Sequence, residues 1–320
     1  MVELASNLTK RDGFFYSLAS ITQDYGLNRS PTLPIAVIGA SLNMLAWYGF
    51  AALYWSVTHG RSRSVAWHLW DVSVIALVCS TVGAWLLALA GPLGLHDPFW
   101  RRLLTHVFLD LFSEGWLVAG LLGTAYALCS APAHPTFKWG VGSFILGLPG
   151  SVLVSLPTSQ LAGWAYLIGS VSSVLVGLGL ILLLVPLLYS TQARTWMWGL
   201  PLALIALKAT AQGINGLWPE IWLGELHGMR VLYLHLMLLG GVTLGCTAAA
   251  RMAWTRAATP AIPLLYAAVL LVIGTLIPLS EWSPAHGRWA FELAFWAALA
   301  PVVVTTWMVA SRGVWQGSDS

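Results

Sequence analysis

The chain of 320 residues is 58% hydrophobic and only 8% charged, with a mean hydropathy of +0.76. A soluble globular domain carries roughly a quarter charged residues, so an ordinary cytosolic enzyme, a disordered chain and a disulfide scaffold are excluded, and a polytopic membrane protein remains. The formal charge of +3 comes from 15 basic and 12 acidic residues without any basic run, which excludes nucleic acid as a partner.

Residues 1–33 form a leader in which Asp12 to Leu27 mixes Phe14, Phe15, Tyr16 and Leu18 with Ser, Thr, Gln and Asp. That stretch is too short and polar to cross a bilayer and reads as an interfacial helix. No basic segment followed by an apolar stretch and a cleavage site precedes it, so no removable signal peptide is expected. A crossing helix needs about 20 apolar residues. On that measure about nine spans follow, near 34–57, 67–91, 103–129, 138–156, 164–189, 196–214, 229–250, 262–279 and 289–311. A transmembrane barrel would alternate over segments of about ten residues, and runs such as Val174 to Leu188 do not alternate. The expected fold is therefore all-α, a transmembrane helix bundle over 34–311 in contact with the lipid bilayer, with a tail at 312–320.

Positive charges set the expected orientation. Arg61, Arg63, Lys138, Arg194, Arg251, Arg256 and Arg312 fall on the side of the C-terminus, against Arg101, Arg102, Arg230 and Arg288 on the other. This predicts the N-terminus outside and the C-terminus inside, with Lys10, Arg11 and Arg29 of the leader counting the other way. Trp67, Trp100, Trp139, Trp164, Trp196 and Trp289 lie near span ends, as in an aromatic belt. Cys79, Cys129 and Cys246 are far apart and in or beside apolar segments, and read as small core residues.

Ionisable residues inside a span are costly and so mark a protein interior or a water path. The third span carries His106, Asp110 and Glu114 at steps of four. Each step drifts by only about 40° on an α-helix, so the three form one polar stripe about 12 Å long. An imidazole with two carboxylates on one face can hold a metal ion or relay protons; it can equally be an interhelical hydrogen-bond ladder. The seventh span opens with Glu225, His227 and Arg230 and continues through Tyr233, His235 and Met237. His227 and His235 share a face but stand about 12 Å apart along the axis, too far for one metal. His106 and His235 match in depth, which leaves a shared site open. Lys208, in an otherwise apolar span, needs a partner or snorkels outward. His59, His68, His96, His134 and His286 lie in loops or near span ends and read as solvated or interfacial. Neither a Gly-rich phosphate loop nor a Gly-x-Ser-x-Gly motif occurs.

The segment from Trp100 through His106, Asp110 and Glu114 resembles the helix of nitric oxide reductase large subunits that carries a metal-binding His followed by acidic positions four and eight residues on. The stretch from Gly213 through His227-Gly228 to His235 and Gly240 looks like the passage of that family into its haem-ligating helix. Pro31 to Val57, with Ala36, Val37, Ile38 and Asn43, is similar to the second helix of the heme-copper oxidase superfamily. The resemblance implies a shortened relative of these respiratory subunits. His106, Asp110, Glu114 and His227 are then candidate ligands of copper, iron or zinc, and His235 is the candidate axial ligand of a haem, with Met237 a remote second. Other respiratory subunits and quinone are the implied partners, in a prokaryotic cytoplasmic membrane. Of the six histidines used by the superfamily only His106 and His235 are matched, since Leu33 or Pro34 and Val154-Ser155 stand where others would be. A binuclear centre of the family type is therefore not expected. Two other readings stay open: a cofactor-free membrane subunit, and a proton or ion pathway lined by Asp110, Glu114, Lys208 and Glu292.

Overall fold

The computed structural model describes residues 32–132, 134–218, 227–253, 261–280, 283 and 288–315. Among these residues every regular element is helical. The expected interfacial helix over 12–27 lies outside them. In chain order the helices are α1 (Thr32–Thr58), α2 (Val65–Ala88), α3 (Pro98–Leu128), α4 (Pro135–Ser155), α5 (Gly163–Tyr189), α6 (Trp196–Leu217), α7 (Gly228–Ala253), α8 (Ala261–Leu279) and α9 (Arg288–Trp315). Helices α2 to α9 each contain a stretch long and apolar enough to cross a membrane, and α1 has the length for it. Each expected span coincides with one of them to within a few residues.

The third span departs most, beginning at Pro98 instead of 103. Asp97 accepts a hydrogen bond from the Phe99 backbone N–H at 2.8 Å, and Pro98 follows at the first helical position. Together they start the helix a full turn before the apolar run does. His134 and Pro135 start α4 in the same way.

The residues up to His59 and those from Gly60 onward form two units. The first contributes α1, whose Ile38, Leu42, Leu45, Leu53 and Trp55 are exposed apolar side chains. In the second, α2 packs on α3, α4 on α5, α5 on α6, α6 on α7, and α8 on α7 and α9. A central apolar core joins Leu69, Val118, Leu122, Val176, Leu180, Leu183, Ile205 and Met237. Small residues let the backbones approach, as expected where helices meet without a hydrophobic drive between them. A Cβ added to Gly147 of α4 would stand 2.5 Å from the Ser172 carbonyl oxygen of α5.

Trp100, Trp139, Trp164, Trp196 and Trp289 are exposed at the starts of their helices, the placement of a membrane-interface belt. The cysteines divide differently from the expectation. Cys129 is buried, but Cys79 and Cys246 are exposed on the outer faces of α2 and α7, where an apolar solvent accepts a thiol as readily as a core does.

Two of the helices are not α throughout. Helix α3 passes through a π segment at Leu111–Val118, and α7 through another at Leu236–Thr243, and the two segments touch. A π turn leaves backbone groups out of the α pattern. Here the fully buried Ser73 of α2 donates its hydroxyl to the Trp116 carbonyl at 2.9 Å, and Thr243 Oγ1 donates to the Leu238 carbonyl five residues back at 3.0 Å.

Candidate functional site

The polar stripe of α3 faces inward. His106 and Glu114 are each 5% exposed, and Asp110 is partly covered. The π segment contributes to this alignment: its wider turn advances each residue by less than the α step, taking back the drift that steps of four accumulate.

Three helices meet at Glu114. Lys208 of α6, wholly buried, places Nζ 2.8 Å from Glu114 Oε1. Tyr233 of α7 donates its hydroxyl to the same oxygen at 3.0 Å. Gln212, one turn beyond Lys208 on α6, donates Nε2 to Glu114 Oε2 at 3.1 Å and accepts from Lys208 through its carbonyl oxygen. The orientation of the Gln212 amide follows from this, since only the oxygen can face an ammonium and only the NH₂ a carboxylate. The ammonium also stands 5.3 Å from the centroid of the Tyr233 ring.

One turn nearer Pro98, Asp110 accepts a hydrogen bond from Ser155 at the end of α4, 3.1 Å away. Its carboxylate is 3.9 Å from His106 Nδ1, beyond hydrogen-bond reach. Arg230 of α7 covers the imidazole, with Nη2 2.7 Å from both Nδ1 and Nε2. A neutral imidazole accepts at one nitrogen only, so the guanidinium donates to whichever ring nitrogen carries no proton. Arg230 and Tyr233, three apart on α7, thus face His106 and Glu114, four plus four apart on α3.

The cluster lies off-centre in the bundle. Lys208 is about 14 Å from the Leu217 end of α6 and about 18 Å from Trp196, and Tyr233 is about 8 Å from the Gly228 end of α7 and about 30 Å from Ala253; on α3 Glu114 stands near the middle, with Asp110 and His106 toward Pro98. Toward those farther ends the same faces continue with Val118, Leu122, Ile205, Met237 and Leu244, all fully buried and apolar. The titratable groups of the cluster therefore lie from the middle of the helices toward Pro98, and a mainly apolar core, which includes Tyr126 and Cys129, fills the other half.

Of the residues singled out from sequence, the structure brings His106, Asp110, Glu114 and Lys208 together. His235 stands apart from them. It follows Tyr233 by two residues, which turns it about 200° round the helix, and its Nδ1 donates to the Val231 carbonyl at 2.8 Å. His227 directly precedes Gly228 of α7, but its side chain lies outside the described residues, as does Glu225. Met237 is core, and Glu292 is on an exposed face of α9. His59, His68 and His96 are exposed, as expected of solvated residues. Arg230, Tyr233, Gln212 and Ser155 were not recognised from sequence. For the first two and for Gln212 a signal existed, namely polar residues spaced by three or four within apolar helices; for Ser155 there was none.

A bound metal would take His nitrogen at about 2.0–2.1 Å, and the Arg230 guanidinium fills that space at the His106 ring. In this arrangement the His106 side chain does not fit a metal ion unless Arg230 swings away. No group of three or more His, Cys, Asp or Glu converges at ligand spacing among the described residues. Comparison with protein-family profiles, with curated proteins and with solved structures gives no significant match.

Proposed function

We propose that this integral membrane protein binds and releases protons at an intramembrane site built on Glu114 and Lys208, with Asp110 and His106 as the steps toward the Pro98 side. The observation that carries this reading is the ion pair at 2.8 Å between two deeply buried side chains. Charges at that depth are expensive and face partners or pathways. Here each has a partner, and carriers of protons continue from it at intervals of one helical turn toward one surface. Asp110, hydrogen-bonded to a hydroxyl of α4 and partly open, is the carboxylate best placed to exchange with water. The dry faces below Glu114 oppose free passage to the other side, so the site loads from one surface.

Infrared difference spectroscopy on the reconstituted protein, stepped through pH, tests the reading. A carboxyl C=O band that appears on acidification, shifts in D₂O and is lost in Glu114→Gln supports it. The same band unchanged in both Glu114→Gln and Asp110→Asn refutes it.

A second reading rests on His235. Donation from Nδ1 to a backbone carbonyl fixes the tautomer that leaves the Nε2 lone pair free, the preparation common to metal- and haem-ligating histidines. It supports a single haem bound axially at His235 in a relative of the heme-copper oxidase and nitric oxide reductase subunits. A reduced-minus-oxidised spectrum with a Soret band that disappears in His235→Ala is the expected result; a spectrum indifferent to that change excludes the assignment.

A further inference from the structure

The third span presents an imidazole and two carboxylates in a row, the donor set that a divalent cation would take, yet each end of the row is already met by an organic cation. Arg230 Nη2 lies 2.7 Å from both His106 ring nitrogens, and Lys208 Nζ lies 2.8 Å from Glu114 Oε1. With the imidazole neutral, two carboxylates face a guanidinium and an ammonium and these four charges cancel, while Arg102 on the same helix adds a further cation near His106. A divalent metal ion would bring the same two positive charges to the same three ligands, but in addition to Arg230 and Lys208 it would leave the cluster with an excess charge in a medium that penalises it. It would also need the ring nitrogen and the carboxylate oxygen that the two side chains occupy.

We infer that Arg230 and Lys208 are built-in counter-cations standing in the place of a metal ion in the His106, Asp110 and Glu114 cluster, so that the cluster keeps its charge balance without one. The two cations come from different helices, α7 and α6. Lys208 is held further by Gln212 and the Tyr233 ring; Arg230 lies one turn before Tyr233 on the face of α7 that meets α3. The arrangement thereby ties α3, α6 and α7 together through fixed charges that a chelator cannot remove. It goes beyond the proton reading, since a balanced cluster is a structural statement whether or not protons move through it.

The test uses the full chain in detergent, with zinc as the probe and cobalt as its coloured substitute. Wild type, loaded with zinc and desalted, is expected to retain substoichiometric metal, and its thermal midpoint is expected to be the same with zinc or with chelator. Arg230→Ala combined with Lys208→Met strips the two cations from the three ligands and is expected to bind one equivalent of zinc and to give a cobalt ligand-field spectrum, both lost when His106→Ala is added. Arg230→Gln, which removes one cation and keeps the Lys208–Glu114 pair, stands in if the double variant does not fold: it is expected to bind zinc in a His106-dependent way, and a folded Arg230→Gln that ignores zinc overturns the inference. Stoichiometric zinc in the wild type that His106→Ala abolishes overturns the inference, and so does a folded double variant that ignores zinc. The infrared band of Glu114 is recorded on metal-free protein, so the two readings fail separately.

Discussion

Removing Lys208 is the perturbation that bears most directly on the buried pair. At 2.8 Å and an effective dielectric of about 20, the Coulomb attraction between the two charges is about 6 kcal/mol. Most of it offsets the cost of taking both from water, so the pair is worth far less than that against an apolar substitute. Lys208→Met removes the ammonium and leaves Tyr233 and Gln212 as donors to Glu114, and breaking a buried pair by removing one partner destabilises by roughly 3–5 kcal/mol. Glu114→Gln should cost a similar amount, because it strands the ammonium. The double variant Lys208→Met with Glu114→Gln removes both charges and should recover most of the loss. A double-mutant cycle of equilibrium unfolding in mixed micelles, followed by tryptophan fluorescence, then gives a coupling energy of at least about 2 kcal/mol, within the range for residues in direct contact. Additive single losses, with the double variant as unstable as their sum, would refute the pair as an energetic unit.

Tyr233→Phe keeps the ring beside the ammonium and removes one donor to Glu114, so a loss of about 1.5–3 kcal/mol is expected in the same unfolding assay, with the fold retained. Gly147→Ala puts a methyl group 2.5 Å from the Ser172 carbonyl and should destabilise by about 1–3 kcal/mol as α4 and α5 are pushed apart; Gly142→Ala, with nothing within 4 Å of the added carbon, should be neutral or stabilising by about 0.5–1 kcal/mol. A thermal-shift comparison in which the two glycine variants behave alike would contradict the close approach. Ser73→Ala removes the donor to the Trp116 carbonyl and should cost about 1 kcal/mol, with the amides of 111–118 exchanging hydrogen faster than those of 119–128.

The helices were legible in the chain because crossing a bilayer obliges each to be a run of about 20 apolar residues with its backbone satisfied internally. That constraint is local, so spans such as α5 and α6 could be bounded from composition alone. The stripe of His106, Asp110 and Glu114 was legible for the same reason: a spacing of four is a property of one helix. What met the stripe was not. Arg230 counted as an edge charge and His235 as the matching histidine, but which of them faces α3 depends on how α7 is rotated against its neighbours.

Rotation is set by packing. Gly240 and Gly241 of α7 sit so close to Leu204 and Ile205 that a Cβ there would meet them at 2.7–2.8 Å, and this contact turns Arg230 and Tyr233 toward the cluster and His235 away from it. That the protein is a helical membrane bundle with ionisable groups inside it follows from the chain alone, because polar groups in an apolar medium cost free energy residue by residue. That an ammonium and a guanidinium answer those groups follows from helix packing, because partners on α6 and α7 are separated from α3 by about a hundred residues of chain and meet it through side-chain contacts.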